Sequence, residues 1–425
     1  MYGFVNRLVR ILKKIMPKWL VRPFLPFYHR VLAFIMAFSY GFPARQLTVI
    51  GITGTKGKST TAEMVFAILR KAGHRTALFS TIRFAIGDAS EPNLFKMTFP
   101  GRGFVQAFLR KAVDAGCTHV VIEITSESVL QSRHQFLYLD GLIVTNIQKE
   151  HIESHGSFSN YVAAKRAVVE TLARSPKKPR VLVTNADVPE SNAFLSACVP
   201  RTVRFSSHEL ENLSGDEKSV SFDHAGTHFS LPIAGSFNAM NALAAIKLCD
   251  AFGVSPTIAS TALAGLPTIR GRVEHIDAGQ DFLVIVDYAH TPDSLEFLFS
   301  AFRNRRKICV LGNTGGGRDT WKRPLMGRIA DESCEKVILT NEDPYDEDPR
   351  SIVDAMAAGM KHPPEIIMDR REAIRAALDA ASPGMAVLIS GKGTDPFIMG
   401  AGGMKTPWSD ATVVREELGR LLRKL

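Results

Sequence analysis

No acidic side chain occurs before Glu63, although the same stretch holds Arg7, Arg10, Lys13, Lys14, Lys18, Arg22, Arg30 and Arg45. Residues 1–45 therefore carry +8 of a formal net charge of +10, and the rest of the 425-residue chain is close to neutral. A nucleic-acid binder spreads its basic residues over a folded face, so nucleic acid is not an expected partner. Cysteine is scarce: Cys117, Cys198, Cys249, Cys309 and Cys334 lie far apart and form no C-x-x-C pair. This excludes a zinc or disulfide framework and reads as buried free thiols in a reducing compartment. There is no internal repeat and no low-complexity tract, which excludes a solenoid. No apolar run reaches the roughly 18 residues of a membrane-spanning helix; the run 31–42 stops at about 12.

The first 45 residues nevertheless carry a pattern. At 100° per residue, Phe4, Val5, Leu8, Ile15 and Trp19 share one helical arc, and Arg7, Arg10, Lys13, Lys14 and Lys18 share the opposite one. Pro17, Pro23 and Pro26 kink or end such a helix. A basic amphipathic helix with aromatic residues on its apolar face is what an in-plane membrane anchor needs. Residues 1–45 are therefore expected to touch a membrane surface, with the protein peripheral on the cytoplasmic side. A signal peptide is disfavoured, because the basic region is too long and a nucleotide site lies just downstream.

That site is the stretch GITGTKGKSTT at residues 51–61, directly after the apolar run 47–50. Backbone N–H groups of Gly54, Thr55, Lys56 and Gly57 can surround phosphate oxygens at a helix N-terminus. Lys58 would reach the outer phosphates, Ser59 would offer its hydroxyl to Mg²⁺, and Thr60 would open the helix. The general pattern requires glycine at position 52, which is Ile52, so this is a shorter-spaced loop from Gly54 to Ser59. A second strand, 119–124, delivers Glu123 near its carboxyl end, where a Mg²⁺ ligand belongs in an α/β sheet. A third, 141–145, leads through Asn146 to Glu150, His151 and His155.

Twelve motifs follow in a fixed order: GTKGKST (54–60), TFP (98–100), EITSESVLQSR (123–133), TNIQKEHIESHG (145–156), YVAAK (161–165), TNAD (184–187), GSFNAMNALAA (235–245), GRVE (271–274), DYAHTPDSLE (287–296), RDTWKRPLMG (318–327), NEDPYDEDP (341–349) and GKGTD (391–395). With these the sequence resembles the Mur ligases, ATP-dependent amide-forming enzymes of peptidoglycan precursor synthesis. It is most similar to the MurE type, which adds the third stem-peptide residue. The resemblance covers about residues 46–425.

The resemblance implies roles by position. Lys58 and Ser59 hold phosphates and a first Mg²⁺, joined by Glu123; His151 ligates a second Mg²⁺. Lys165 matches a lysine that the family carbamylates, which turns a cation into an oxygen ligand for the ions. Asn238 and Asn241 face the adenine, and Arg272, Asp287 and His290 lie near the ribose and phosphates. Thr98, Ser126, Gln131 and Arg133 fall where the family binds the muramyl-peptide precursor. Asp343, Tyr345, Gly391 and Asp395 fall where it selects the free amino acid. The implied chemistry is attack of a substrate carboxylate on the γ-phosphoryl of ATP, then displacement of phosphate by an amine. No nucleophilic side chain is required, in keeping with the lack of a Ser–His–Asp or Cys–His signature.

The expected fold is α/β: a P-loop ATPase domain with a mostly parallel sheet at 46–270, strand-rich over 201–234, and a Rossmann-like α/β domain at 271–425. ATP is expected between the two, with closure as the gating motion. Three departures stand out. The family's N-terminal domain for the uridine nucleotide is not found ahead of the loop, so contact with a lipid-linked or locally made precursor is expected. The D-N-P-R motif of diaminopimelate-adding members reads Glu342-Asp343-Pro344-Tyr345, which removes an arginine partner for a distal carboxylate. The acids Glu342, Asp343, Asp346, Glu347 and Asp348 either favour a cationic substrate or form a solvated loop. The usual S-S-H motif reads Thr125-Ser126-Glu127. Competing readings are a ligase of the same superfamily acting on folylpolyglutamate or a poly-amino-acid, and a silent, membrane-attached nucleotide-binding scaffold.

Overall fold

The apolar run 47–50 continues into strand β1 (Thr48–Thr53), buried from Val49 onward. Strands buried on both faces sit inside parallel sheets, and β1 does so in this computed structural model. The structure describes residues 25–148, 156–317 and 319–423. The expected helix over 4–19 lies outside them, as do Glu150, His151 and His155.

The chain forms two compact units, one running to Glu209 and including Asn241–Ala262, the other comprising Leu210–Met240 and Leu263–Leu425. Residues 210–240 thus group with the C-terminal part, whereas the boundary expected from the sequence falls after residue 270. One contact responsible is Glu217, which accepts from Arg305 Nε at 2.8 and 2.9 Å.

In the first unit, β1 joins β2 (Thr76–Phe79), β3 (Arg83–Ile86), β4 (Ala89–Pro92), β5 (His119–Glu123), β6 (Gly141–Val144), β7 (Val181–Asn185) and β8 (Arg201–Phe205). Their order is β4-β3-β2-β5-β1-β6-β7-β8. The six strands from β2 to β8 in that order are parallel, and β3 and β4 add an antiparallel edge. Around the sheet run helices α1 (Leu25–Ser39), α2 (Lys58–Lys71), α3 (Arg102–Asp114), α4 (Ser126–Leu130) and α5 (Phe158–Ala173). Helix α6 (Phe237–Ala251) contributes its part from Asn241 onward. Helix α5 is capped by Ser157 Oγ, which accepts from the Asn160 N–H.

Helix α1 absorbs most of the run 31–42. It buries Leu32, Ala33 and Ala37 and exposes Phe27, Val31, Phe34, Ile35 and Phe38. Each large apolar side chain left in water forgoes about 1.5–3 kcal/mol. Among the described residues no helix is long and apolar enough to cross a membrane.

The second unit opens with an antiparallel three-stranded sheet, β9 (Glu211–Gly215), β10 (Val220–His224) and β11 (Thr227–Leu231). Its main sheet contains β12 (Glu274–His275), β13 (Leu283–Asp287), β14 (Lys307–Leu311), β15 (Lys336–Leu339), β16 (Glu365–Ile366) and β17 (Ala386–Ser390). The order is β12-β13-β17-β14-β15-β16, parallel except for β12. Helices α7 (Pro292–Ala301), α8 (Lys322–Ser333), α9 (Pro349–Ala357), α10 (Arg370–Asp379) and α11 (Asp410–Leu422) complete it. Asp348 and Asp369 cap α9 and α10 with their side chains. Arg370 and Asp410, 1% and 0% exposed, form a two-pronged ion pair at 2.8 Å that ties α10 to α11.

One expectation fails here. Cys309 and Cys334 are joined in a disulfide, with Cα atoms 6.2 Å apart, and Cys198 is exposed; only Cys117 and Cys249 are buried free thiols. Spacing of 25 residues hides the contact, because β14 and the end of α8 meet only in the folded sheet.

Candidate active site

The register of the first sheet decides what surrounds the phosphate loop. Ile52 pairs with Glu123 on one side of β1, and Thr53 pairs with Val144 on the other. The loop leaving β1 therefore emerges between the ends of β5 and β6, at the carboxyl edge where α/β sheets bind ligands. Gly54 lies at φ 142° and Gly57 at φ 78°. A Cβ on Gly54 would sit 2.0 Å from Thr145 Oγ1, and one on Gly57 would sit 2.2 Å from Asn241 Oδ1. Both positions need glycine for space as well as conformation. Asn146 locks the loop from the β6 side: its Oδ1 accepts from the Lys56 N–H at 2.9 Å, and its Nδ2 donates to the Lys56 carbonyl at 3.2 Å. Thr55 Oγ1 lies 2.8 Å from the Tyr161 hydroxyl.

Glu123 is 2% exposed at the end of β5. Its Oε2 accepts from Ser59 Oγ at 3.0 Å and from the Thr81 N–H at 2.9 Å. Thr81 Oγ1 in turn lies 2.6 Å from Thr98 Oγ1. One chain of hydrogen bonds thus runs from the head of α2 to the TFP segment. Phe99 anchors that segment against Phe79, with ring centroids 5.2 Å apart. Lys58 Nζ folds back onto the Thr55 carbonyl at 2.8 Å. Lys165, 1% exposed, donates to the Gly54 carbonyl at 2.8 Å and lies over the Tyr161 ring, 4.9 Å from its centroid.

Gly54 to Thr60, Glu123, Lys165, Thr98 and Asn241 therefore meet in one place. His151 belongs to the same expected set but lies outside the described residues. Ser126 is buried at the start of α4. Arg133 bonds the Phe99 carbonyl and Gln131 Oε1, so the TFP segment and the 131–133 segment are tied together. Asn238 behaves differently from Asn241: its Nδ2 donates to the Ala234 carbonyl at 2.7 Å.

A second constellation forms at the carboxyl edge of the second sheet. Asp287, ending β13, accepts from the Val273 and Ala289 N–H groups, both at 2.7 Å. Arg272 lies over the Tyr288 ring at 4.6 Å, and His290 Nδ1 contacts the Tyr288 carbonyl at 2.7 Å. A Cβ on Gly271 would meet the Gly393 carbonyl carbon at 2.7 Å, so the GRVE and GKGTD turns are packed backbone to backbone. The nearby charge of Asp395, then burial, pushes the Tyr288 hydroxyl well above its usual range.

Lys392 fills the centre of this constellation. It donates to both oxygens of Asp343 at 2.9 Å, to the Phe397 carbonyl at 2.7 Å and to Asp395 at 3.4 Å. Tyr345 follows at φ 53°, its N–H bound to the Met399 carbonyl at 3.0 Å. Gly391 has no room for a side chain, because a Cβ there would lie 2.2 Å from Glu342 Oε2. Burial raises the Glu342 carboxyl, and among the described residues its Oε2 finds no hydrogen-bond partner. The other acids of the loop have partners: Glu347 pairs with Arg323, Asp346 accepts from the Gly402 N–H, and Asp348 caps α9. These three side chains hold the loop's own fold.

Sequence reasoning missed Thr81, Asn146 as a loop lock, Tyr161 and Lys392. Thr81 and Asn146 carry a signal of sorts, since each lies within two residues of a strand's carboxyl end. The donor set also fits a magnesium-bound nucleotide. Among the described residues no three His, Cys, Asp or Glu side chains gather as a metal cage. Mg²⁺ on a polyphosphate needs none, because it keeps waters and phosphate oxygens and takes one or two protein oxygens. Ser59 and Glu123 are such a pair.

Residues 52–249 match the Mur ligase middle domain, and residues 271–393 match the Mur ligase, glutamate ligase domain. The chain is 36% identical over 419 residues to a UDP-N-acetylmuramyl-tripeptide synthetase of Roseiflexus sp. (strain RS-1), covering 92% of this chain and 82% of that one. It is 34% identical over 386 residues to a UDP-N-acetylmuramoyl-L-alanyl-D-glutamate--2,6-diaminopimelate ligase of Geobacillus kaustophilus (strain HTA426), covering 87% and 78%. A solved structure of another such 2,6-diaminopimelate ligase superposes with a TM-score of 0.60 at 26% identity, covering 88% of this chain and 79% of that one. The chain belongs to the Mur ligase family of ATP-dependent, amide-forming ligases.

Proposed function

We propose that this enzyme joins a free amino acid to a muramyl-peptide precursor, as the third residue of the stem peptide. The observation that carries the reading is the Ser59–Glu123 pair at 3.0 Å beside a glycine loop that Lys58 and Lys165 both contact. The acceptor carboxylate attacks the γ-phosphoryl of ATP, forming an acyl phosphate and releasing ADP. The neutral amine then attacks the acyl carbon, phosphate leaves with the electron pair of the broken C–O bond, and the amine's extra proton passes to solvent or phosphate.

The protein's part is positioning and charge neutralisation, with little covalent chemistry of its own. Backbone N–H groups of residues 54–60 and the Lys58 ammonium hold the phosphates. Ser59 and Glu123 would hold one Mg²⁺, and His151 with a carbamylated Lys165 would hold a second. Bound Mg²⁺ supplies a Lewis acid that neutralises the phosphoryl oxygens. As an ammonium, Lys165 would repel a cation at the loop, and as a carbamate it would attract one. Arg272, Asp287, His290, Asn238 and Asn241 are assigned to the nucleoside. Thr98, Ser126, Gln131 and Arg133 are assigned to the acceptor.

Asp343, Tyr345, Gly391 and Asp395 are assigned to the incoming amino acid. With Tyr345 in place of the arginine, that amine is read as one lacking a distal carboxylate. Residues 1–45 would hold the enzyme on the cytoplasmic face of the membrane. The test is phosphate release with a panel of acids and amines. Release that needs both a muramyl dipeptide precursor and one amino acid supports the reading, and release indifferent to either refutes it.

A further inference from the structure

Helix α1 is apolar on two opposite faces. Leu32, Ala33 and Ala37 are buried against the body of the first unit. Phe27, Val31, Phe34, Ile35 and Phe38 are 70%, 39%, 47%, 41% and 67% exposed. At 100° per residue these five fall within an arc of about 100°, opposite the buried set. The helix is fixed in this orientation by its edge. Phe34 packs on Phe42 and Phe136 with centroids 5.8 and 5.6 Å apart, and Arg45 lies over the Phe42 and Tyr138 rings at 4.6 and 5.1 Å. The outer stripe is therefore not a loosely turned helix that could roll its apolar side inward.

We propose that the outer face of α1 seats in the interface of an anionic phospholipid bilayer, with the helix lying in the membrane plane. This deepens, and rests on, the reading of residues 1–45 as a membrane contact. Contiguous exposed apolar side chains mark an interaction surface, and charge selects the occupant. The 24 residues ahead of α1 contain Arg7, Arg10, Lys13, Lys14, Lys18 and Arg22 and no acid. Arg30 is exposed on α1 itself, and Arg45 follows it. An apolar stripe preceded and followed in the chain by cations and no acid matches acyl chains beneath anionic headgroups. A second copy of the chain would bring the same positive charge to the contact. Among the described residues no helix is long and apolar enough to cross a membrane, and the outer face of α1 lies along the surface.

The test is co-sedimentation of the full chain with vesicles, without ATP or acceptor. Binding to phosphatidylglycerol-containing vesicles is expected to exceed binding to pure phosphatidylcholine at least tenfold, and to weaken in about 0.5 M salt. Phe27→Glu/Phe38→Glu is expected to cut binding at least tenfold while leaving Tm unchanged. Undiminished binding of that variant overturns the proposal. So does a fall in its Tm without lipid, which would mean that the chain's own N-terminal residues cover the face. A lipid-free dimer that the substitutions dissociate would make a second copy the occupant and overturn it equally. None of these outcomes depends on ligase activity, so this proposal and the catalytic one fail separately.

Discussion

Ser59 donates its hydroxyl hydrogen to Glu123 across 3.0 Å, joining the head of α2 to the end of β5 although 64 residues separate them. The same carboxylate oxygen accepts from Thr81, so Glu123 is held by two donors and its position does not depend on rotamer freedom. Glu123→Gln keeps the volume and one acceptor but removes the charge that would face a cation. Turnover is expected to fall at least a hundredfold, equivalent to about 3 kcal/mol of transition-state stabilisation, with an unchanged circular dichroism spectrum. Steady-state phosphate release checks this.

Gly57 and Asn241 make the loop intolerant of a single methyl group. Gly57→Ala would drive a Cβ to 2.2 Å from Asn241 Oδ1 at a φ of 78°. Gly226 offers the control, with φ 75° and nothing within 4 Å. Gly226→Ala is expected to cost about 1 kcal/mol from backbone strain alone and to leave nucleotide affinity intact. Gly57→Ala should lower affinity for ATP at least tenfold, read by isothermal titration calorimetry.

Lys165 is buried against the Gly54 carbonyl, a place where an ammonium and a metal ion compete. Lys165→Ala is expected to abolish turnover while retaining the fold and ADP binding. If the lysine acts as a carbamate, wild-type turnover should fall in buffer stripped of carbon dioxide and recover with bicarbonate. Intact-mass measurement of the wild type under native conditions gives a second readout.

The phosphate loop was legible because three local signals coincide: an apolar strand, glycines at fixed positions, and a helix opening with Lys58-Ser59-Thr60. Glu123 was legible as a strand-end acid. What sequence could not say is which strand ends adjoin. The order β5-β1-β6 places Glu123 and Asn146 on opposite sides of the loop, and only that order gives Asn146 its role. Thr81 and Thr98 meet because the aromatic cage around Phe79 pulls the TFP segment down onto β2, a contact with no periodicity to reveal it. Lys392 went unnoticed because a lysine between two glycines reads as exposed, yet it is 0% exposed and paired with Asp343. The disulfide and the grouping of 210–240 with the C-terminal unit are likewise consequences of packing.

His134, 3% exposed beside Arg133, has its pKa drawn down to about 4 by burial. The unfolded chain takes up that proton near pH 6.5, so the folded state is favoured above that pH. The stability is lost as pH falls from 6.5 towards 4, by about 3 kcal/mol in all. His134→Asn should flatten this part of the curve, and denaturant titrations of the two proteins at pH 7, 5.5 and 4.5 would show the difference.

Catalysis here depends on a carboxylate being activated as an acyl phosphate in the Ser59–Glu123 site. With the acceptor carboxylate labelled with oxygen-18, one labelled oxygen is predicted to appear in the inorganic phosphate released with each amide bond formed. Phosphate that carries label from water instead, or that is released without amide formation, would contradict it.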